Sequence, residues 1–427
     1  MLEPGQTVFL ILSFEGPDVY SQAGGLGVRV KELSRALAER GYETHLFFVG
    51  DPALPANEEL FDGRLHLHRW SQWISRFYPM GVYSGEDDKV ADLNRSLPDA
   101  LVSDFIKPAV ERGSQVVVIG EEWHLAHAMT LISDALYFAG LRERCLLLWN
   151  ANNHFSFHRI NWGTLGFTTQ LMTVSRYMKH IMWQWGVNPI VVPNGIPGSM
   201  ISRVSQAQVR TLRTAVNAPA FLFKIGRFSP DKRWHQAIAA VAQLKERGTP
   251  VKLLMRGGME PFGGEVLAFA GQQRLRVVPL STRVEDVAGL ARLLRENAEA
   301  DIWNLTAFLP DELLPAIYAS ATATLANSGH EPFGLVGLEA MASGGVAFVG
   351  ATGEEYAEAF TNAIVIETDE ASEIVAYVTN LADHPENARN LRIAAQRTAR
   401  AYTWQRVIDI LLRRLEFVAI KQGLTVP

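Results

Sequence analysis

The sequence predicts an α/β protein with two doubly wound domains in tandem. Its 427 residues exceed the size of one typical core, so two domains are expected. Nearly continuous apolar runs recur through both halves, as in parallel strands covered on both faces, and amphipathic helix patterns separate them. Ligands of such folds bind beyond the carboxyl ends of the strands, and the functional residues are expected there.

Strands are predicted in both halves. Those of the first half span residues 7–13, 43–49, 115–119, 144–149, 171–174 and 190–193. Those of the second half span residues 220–225, 251–255, 275–278, 323–326, 346–349 and 363–366. The domains are predicted to cover residues 1–200 and 201–401, with a polar, helical connection over residues 203–217. Residues 402–427 carry a helical apolar pattern and are expected to pack back on the first domain.

Composition and charge narrow the classes of function. A hydrophobic fraction of 48% with 20% charged residues is typical of a soluble globular protein, and the net charge of −5 gives no reason to expect nucleic acid. No apolar run reaches the roughly 18 residues of a membrane span. The single cysteine, Cys145, excludes a disulfide framework or a cysteine-based zinc cluster. Glu3, Pro4 and Gly5 stand where a secretory signal is basic, so we expect a cytoplasmic protein.

The most informative stretch is HEPFGLVGLEAMASGG, residues 330–345, which lies between two short apolar runs. It predicts strand, loop, helix and strand in succession. Glu331 and Glu339 lie eight positions apart, at most roughly 12 Å along a helix. Because a nucleoside diphosphate sugar is of similar length, one carboxylate could bind a sugar hydroxyl and the other a ribose hydroxyl. Between them, free N–H groups at the helix start form a phosphate site, at Gly334, Leu335 and Val336.

Two cations follow the first strand of the second half. Arg227 and Lys232 lie five positions apart in one loop, from which they could close on a diphosphate. Fixed cations stabilise the negative charge that a leaving phosphate gains, an electrostatic effect that often contributes most to catalysis. Gly257 lies in a glycine turn after the next strand and could approach the nucleotide.

Gly24 and Gly25 lie in the turn between the first strand and a helix predicted over residues 28–40. Glycines at such a turn let backbone N–H groups approach an anion, which the helix dipole favours. A tight turn without a ligand is the alternative. The spacing is not that of a GxGxxG dinucleotide motif.

Polar residues also follow elements of the first half. Asn150 and His154 lie in a run of asparagines and histidines at a strand end, which we interpret as site-forming because buried amides need partners. Glu122 and His124 follow the strand at residues 115–119, where helix capping is the alternative. Tyr83 ends an aromatic segment that suits sugar stacking, with ordinary packing as the alternative.

These motifs resemble those of the GT-B glycosyltransferases of family 4, which include glycogen and sucrose synthases. Glu331 and Glu339 match the E-x7-E element of that family. Arg227 and Lys232 match its G-R-x4-K element, and residues 21–27 match its first glycine loop. The resemblance covers nearly the whole chain. It implies a GT-B fold, in which two Rossmann-like domains face a central cleft.

The resemblance implies transfer of a hexosyl unit from a UDP-, GDP- or ADP-sugar to an acceptor hydroxyl, with retention of anomeric configuration. The catalytic residues that it implies are Arg227, Lys232, Glu331, Asn150 and His154. The donor-binding residues are Gly24, Gly25, Gly257, Gly334, Leu335, Val336 and Glu339. Glu122, His124 and Tyr83 would contact the acceptor. Many members carry a histidine where this chain has Asn150, so either Asn150 or His154 takes that role.

The partners implied are the donor and a sugar, glycan, lipid or small-molecule acceptor. No cofactor or metal is expected, because cations and helix N–H groups neutralise the diphosphate. The aromatic helix over residues 177–185 could contact a membrane, although packing is favoured. Whether the chain forms a homo-oligomer is left open by the sequence. The alternatives are a phosphorylase or sugar-phosphate synthase on the same fold, or an inactive sugar-nucleotide-binding module, which the missing histidine favours.

Overall fold

The computed structural model describes residues 2–202 and 204–423. The described residues leave out Met1, Arg203 and residues 424–427. Met1 belongs to the predicted first domain, Arg203 to the predicted connection over residues 203–217, and residues 424–427 to the predicted terminal segment. The chain divides into two compact units, and each is described by itself. The first unit is Met1–Gly195 with Trp404–Pro427, and the second unit is Ile196–Thr403.

The strands of the first unit are β1 Thr7–Leu12, β2 Glu43–Val49, β3 Asn57–Leu60, β4 Leu65–Trp70, β5 Gln115–Glu121, β6 Cys145–Ala151, β7 Gln170–Thr173 and β8 Ile190–Val191. The strands of the second unit are β9 Ala220–Ile225, β10 Val251–Arg256, β11 Val277–Leu280, β12 Ile302–Leu305, β13 Ala323–Ala326, β14 Ala347–Val349 and β15 Ile364–Val365.

The α-helices, in chain order, are α1 Gly25–Glu39, α2 Gln72–Ser75, α3 Glu86–Ala100, α4 Lys107–Glu111, α5 Ala126–Phe138, α6 Trp162–Thr168, α7 Arg176–Trp183, α8 Gln206–Val216, α9 Trp234–Glu246, α10 Phe262–Gln272, α11 Val287–Glu296, α12 Leu314–Ser320, α13 Leu335–Ala342, α14 Ala371–Asp383, α15 Pro385–Ala399 and α16 Trp404–Lys421. A π-helical segment, Leu101–Ile106, joins α3 to α4. Short 3-10 helices are Trp123–Leu125, Arg142–Arg144, Phe157–Arg159, Gly198–Ile201, Pro230–Lys232, Asp311–Leu313 and Arg400–Tyr402.

The sheet of the first unit has the strand order β3-β4-β2-β1-β5-β6-β7-β8. Its neighbouring strands are parallel, except that β3 pairs with β4 in the antiparallel direction. The carboxyl ends of parallel strands meet at one edge. The segments that carry Gly24, Glu122 and Asn150 therefore start from the same edge.

The sheet of the second unit has the order β11-β12-β10-β9-β13-β14-β15, and its pairs are parallel. The central strands β9 and β13 are neighbours, with Leu222 opposite Ala323 and Phe223 opposite Thr324. Their following loops leave the sheet side by side. The two sheets confirm the predicted class of two parallel-sheet α/β domains.

Several predicted strands agree with the structure to the residue, at β2, β9 and β13. Three strands were not predicted. β3 and β4 have the sequences NEEL and LHLHRW, which carry too few apolar residues to be recognised as buried strands. β12, with the sequence IWNL, is short and contains a buried asparagine. The strand predicted at residues 275–278 begins two residues later, at Val277.

The apolar face of α16 belongs to the core of the first unit. Phe9 and Ile11 of β1 and Val30 of α1 share one buried cluster with that helix. The α16 members of the cluster are Trp404, Val407, Ile408, Leu411, Leu415, Val418 and Ala419. Burying a leucine or isoleucine side chain contributes about 1.5–3 kcal/mol. The terminal helix therefore packs back on the first unit, as the sequence predicts.

Candidate functional site

Lys232 and Glu331 form an ion pair at the carboxyl edge of the second unit's sheet. The Lys232 Nζ atom lies 2.6 Å from Glu331 Oε2, and each side chain is about one-fifth exposed. Lys232 ends the 3-10 helix that follows β9, and Glu331 lies in the loop after β13. The parallel pairing of β9 with β13 brings these loops together although 99 positions separate the two residues.

The backbone of Glu331 is fixed from both sides. Its N–H donates to Thr352 Oγ1 at 2.8 Å, and its carbonyl oxygen accepts the Gly353 N–H at 2.9 Å. Both partners lie in the loop after β14, where Glu354 accepts hydrogen bonds from the Thr352 N–H and hydroxyl. Burial, together with the charge of Glu331, raises the pKa of Glu354 to about 7. The Glu331 carboxylate is therefore held on a preorganised loop, and sequence reasoning did not identify Glu354.

Arg227 lies at the start of the same loop as Lys232 and is exposed. Its carbonyl oxygen accepts the Trp234 Nε1–H at 2.8 Å, which fixes the backbone of the loop. Within residues 2–202 and 204–423 the Arg227 guanidinium has no ion-pair partner. It therefore adds to the loop of Lys232 a positive charge that has no ion-pair partner within the described chain.

Gly257 has a packing reason to be glycine. A Cβ atom at this position would overlap the Phe228 ring, and the Phe228 N–H is in turn bound by Glu260. The close approach is thus to a neighbouring aromatic side chain. A contact of Gly257 with the nucleotide stays a prediction.

The helix α13 begins with two partly exposed residues, preceded by a glycine that the backbone conformation requires. Gly334 is the N-cap residue with φ 83°, a left-handed conformation that glycine adopts without strain. Its carbonyl oxygen accepts a hydrogen bond from the Tyr356 hydroxyl. The N–H groups of the first helical turn, which include those of Leu335 and Val336, have no intrahelical acceptor. Both of these residues are partly exposed, as an anion site requires.

Glu339 is bound to a neighbouring helix. Its Oε2 atom accepts the Tyr318 hydroxyl at 3.0 Å. Burial raises the pKa of Glu339 to about 7. The carboxyl group therefore keeps its proton to a higher pH than an exposed glutamate does, and its contact with a ribose hydroxyl stays a prediction.

The glycine loop of the first unit already holds a carboxylate. The N–H groups of Ala23, Gly24 and Gly27 donate to Glu15 Oε2 at 3.1, 2.9 and 3.1 Å. The other oxygen, Oε1, accepts the Tyr83 hydroxyl at 2.6 Å. The Gly24 N–H and the Tyr83 hydroxyl thus have intramolecular partners, and their contacts with the donor and the acceptor stay predictions.

Glu15 could not be recognised from the sequence, because its partners lie up to 68 positions away. Gly25, by contrast, starts α1 in an open position, where a Cβ atom would meet no heavy atom within 4 Å. Its predicted approach to the donor stays a prediction.

Asn150 is fully buried at the end of β6 in a polar cluster. Its Nδ2 donates to Glu121 Oε2 at 2.8 Å, and Arg29 Nε lies 3.2 Å from Glu121. Arg29 also donates to Asn194 Oδ1. His154, the alternative to Asn150, lies in the exposed loop that follows. The structure therefore places Asn150 in a fixed position and His154 at the surface.

Glu122 follows β5 with a strained backbone. Its φ of 68° and ψ of 171° fall in a region that is essentially restricted to glycine, at a cost of about 1–3 kcal/mol. Its Oε1 atom accepts the N–H groups of Asn152 and Asn153 at 2.7 and 3.2 Å. Burial raises the pKa of Glu122 to about 8. The group is mostly a neutral acid at pH 7, able to donate a proton or a hydrogen bond.

His124 is also buried. Its Nε2 atom lies 2.8 Å from Glu86 Oε1, and its ring stacks on Phe14 with centroids 4.1 Å apart. Burial lowers the pKa of His124, against the opposing charge of Glu86. Two of the three residues predicted for the acceptor, Glu122 and His124, therefore have internal partners here, and acceptor binding stays a prediction.

Two family models match the chain, one in each half. Residues 23–198 match the family described as Glycosyltransferase Family 4, and residues 212–398 match the family described as Glycosyl transferases group 1. Together with the two parallel-sheet units, these matches define a glycosyltransferase of the GT-B class. Residues 23–198 belong to the first of these glycosyltransferase families, and residues 212–398 belong to the second.

Among curated proteins, the chain is 29% identical over 245 residues to a GDP-mannose-dependent alpha-(1-6)-phosphatidylinositol dimannoside mannosyltransferase of Mycobacterium tuberculosis. This match covers 55% of the chain and 53% of that protein, so the chain spans about half the length of this relative. It is 30% identical over 126 residues to a D-inositol 3-phosphate glycosyltransferase of Thermomonospora curvata, with 29% of each chain covered.

Solved structures share the fold over most of the chain. A sucrose-phosphate synthase from Thermosynechococcus elongatus aligns with a TM-score of 0.67 at 19% identity, covering 97% of this chain and all of that chain. A protein of Anabaena, solved in complex with UDP and glucose, aligns with a TM-score of 0.63 at 16% identity. The alignment covers 96% of this chain and 99% of that chain. At these identities the likeness shows the GT-B fold.

Proposed function

We propose that the chain transfers a hexosyl unit from a nucleoside diphosphate sugar to an acceptor hydroxyl, with retention of anomeric configuration. The observation that carries this proposal is the Lys232–Glu331 pair, 2.6 Å apart at the carboxyl edge of the second unit's sheet. Arg227 lies in the same loop as Lys232, and the start of α13 follows Glu331 by four residues. A loop with two cations, paired through Glu331 with the segment that starts α13, is suited to bind a diphosphate.

Each group has a role in the proposed reaction. As the bond from the sugar to the diphosphate breaks, the leaving group gains negative charge, which Lys232 and Arg227 stabilise because they are already in position. Glu331 orients the Lys232 ammonium in the free protein and contacts a sugar hydroxyl in the complex. The leaving diphosphate takes the acceptor's proton on the same face, so that the acceptor oxygen replaces it with retention. Within the described residues, no group of three side chains suited to hold a metal ion is present.

The comparisons support this proposal without fixing the substrates. The names of two relatives specify GDP-mannose and inositol phosphate, and one structural neighbour was solved with UDP and glucose. We propose a nucleotide-sugar donor and a hydroxyl-bearing acceptor for this chain, and a cytoplasmic location. No helix among the described residues is long and apolar enough to cross a membrane.

A panel of ADP-, GDP- and UDP-sugars, each with its free nucleotide, tests the proposal. A donor at one hundred times its dissociation constant is expected to stabilise the protein by about 2.7 kcal/mol, which thermal unfolding detects. With that donor, release of the nucleoside diphosphate shows turnover, and NMR of the product shows the anomeric configuration. A product of inverted configuration would contradict the retaining mechanism, and failure of every donor to bind would contradict the function.

An inactive binding module is the second candidate. Asn150 replaces the histidine that many family members carry, and the Gly24 N–H is bound to Glu15. Under this alternative, donor binding occurs without release of the nucleoside diphosphate under any acceptor condition. Slow donor hydrolysis in the absence of acceptor would exclude it.

A further inference from the structure

A lysine lies inside the apolar strand behind the Lys232–Glu331 pair. Lys224 is the fifth residue of β9, which has the sequence AFLFKI, and only 3% of its surface is exposed. Its Nζ atom donates to Leu325 O at 3.0 Å and to Asn327 Oδ1 at 2.6 Å. A buried lysine is rare and requires such partners. Its side chain therefore joins the end of β9 to the end of β13.

The hydrogen bonds of Lys224 continue into a buried network. Asn327 Nδ2 donates to Gln236 Oε1 at 2.6 Å, and Gln236 Nε2 donates to Thr368 O at 2.9 Å. The Nζ atom also lies 5.2 Å from the centre of the Trp234 ring. Because Trp234 holds the backbone of Arg227, Lys224 lies at the base of both loops that form the proposed diphosphate site.

The partners of Lys224 fit both of its protonation states. A neutral amine has two N–H donors, and the two oxygen acceptors satisfy them. The ammonium ion has a third N–H and a positive charge, which the face of the Trp234 ring stabilises by a cation–π interaction. In the neutral form only the lone pair of Nζ is left without a hydrogen-bond donor, and this is the position that an added proton occupies.

The charged groups that act on Lys224 are those of the diphosphate site. They are Lys232, Glu331, Arg233 and Asp231. Burial lowers the pKa of Lys224 to about 7, and the charges of Lys232 and Arg233 act in the same direction. Arg233 is itself paired with Asp369 at 2.6 Å. A diphosphate bound at Lys232 adds negative charge to this set and favours the ammonium form.

We propose that Lys224 is a proton-coupled positioning residue of the diphosphate site, whose buried amine takes up a proton from solvent when a nucleoside diphosphate binds. The proton adds to the lone pair of Nζ, and no bond of the ligand changes. The charged form strengthens the hydrogen bond to Asn327 and adds attraction for the ligand. This inference rests on the proposed function, since it requires a diphosphate at Lys232.

Calorimetric titration with ADP, GDP and UDP tests the inference. The heats are measured at pH 7.5 in two buffers of different ionisation enthalpy, because their difference gives the number of protons taken up. Binding of a nucleotide is expected to be accompanied by the uptake of about half a proton from the buffer. By linkage, its affinity then falls about threefold per unit of pH between 7 and 8.

Matched variants isolate Lys224. In Lys224→Met and Lys224→Arg no proton is expected to be taken up, because one side chain is always neutral and the other always charged. If the methionine variant does not fold, the arginine variant retains the test. Lys252→Met is the control. Lys252 also lies on a strand, its Nζ atom is 5.6 Å from the centre of the Trp303 ring, and it donates to backbone carbonyl oxygens. Unlike Lys224, it does not lie at the proposed site. The control variant should take up protons as the wild type does.

The outcomes separate the two proposals. Binding by the wild type without proton uptake, or equal uptake by Lys224→Met, Lys224→Arg and the wild type, would overturn the role of Lys224 and leave the proposed function intact. Absence of binding by all three nucleotides would overturn the proposed function and this inference with it.

Discussion

Glu15 Oε2 lies 2.9 Å from the backbone nitrogen of Gly24 and accepts its N–H. The same oxygen also accepts the N–H groups of Ala23 and Gly27 at the start of α1. A carboxylate in this place satisfies donors that a helix start leaves without partners, and its charge complements the helix dipole. The backbone N–H groups of the glycine loop are thus bound by a side chain of the same unit, Glu15.

Glu15→Ala is expected to destabilise the first unit. The substitution removes the acceptor of the buried Gly27 N–H, and an unsatisfied buried donor costs about 1–3 kcal/mol. Urea unfolding measures the loss. Glu39→Ala is the control, because Glu39 forms an exposed pair with Arg35 that is worth only about 0.3–0.5 kcal/mol. Equal losses in the two variants would show that the Glu15 hydrogen bonds do not stabilise the loop.

Gly334→Ala is expected to weaken both stability and nucleotide binding. A left-handed conformation costs a residue with a Cβ atom about 1–2 kcal/mol. The added carbon would also lie 2.6 Å from Glu354 Cγ and 2.9 Å from the Tyr356 hydroxyl oxygen, so the start of α13 must shift.

The control for Gly334 is Gly264→Ala in α10, where a Cβ atom would meet nothing within 4 Å. There alanine is expected to stabilise the helix by about 0.5–1 kcal/mol. Unfolding and nucleotide titration of both variants check the pair. Unchanged nucleotide affinity in Gly334→Ala would argue against a diphosphate at the start of α13.

Glu122 is expected to make stability fall as the pH rises. Burial raises the pKa of Glu122 to about 8 from its ordinary value of 4.5, so the folded state binds the proton more tightly than the unfolded chain. The stabilisation is complete below pH 4.5 and is lost as the pH rises to about 8. Between these two pH values, the free energy of unfolding falls by about 1.4 kcal/mol per pH unit for the one proton that the folded state binds.

Glu122→Gln keeps the size of the side chain and cannot ionise. The free energy of unfolding, measured in urea at pH 5.5 and 7.5, should therefore fall by less in this variant than in the wild type. Glu39→Gln, with an exposed carboxylate, should behave as the wild type does. Parallel pH curves for Glu122→Gln and the wild type would contradict a buried, neutral Glu122.

Elements that depend on a local sequence pattern could be predicted from the sequence. Continuous apolar runs identify β2, β9 and β13, and the helix predicted from about Leu335 is α13. The parallel order of the strands then brings Lys232 and Glu331 to one edge of a sheet. These elements follow from periodicity and from the general geometry of α/β folds.

The remaining features depend on partners distant in the chain. Glu15 and Tyr83 are 68 positions apart, and Lys224 and Asn327 are 103 apart. Only tertiary packing shows that the Glu15 carboxylate fills the glycine loop and that Asn150 is bound to a buried Glu121. One signal for Lys224 was present: a cation inside an otherwise apolar strand, which requires a buried partner.

The rate at which the protein releases nucleoside diphosphate from its best-binding sugar donor tests the central claim, that Lys232 stabilises the leaving group. We compare the wild type with Lys232→Ala and with Lys245→Ala, in which a lysine paired with Asp301 is removed from the same unit. Lys232→Ala should lower turnover by about a hundredfold or more, as removal of one oxyanion-hole donor does, while Lys245→Ala retains the wild-type rate. A Lys232→Ala rate equal to that of the wild type would contradict the account.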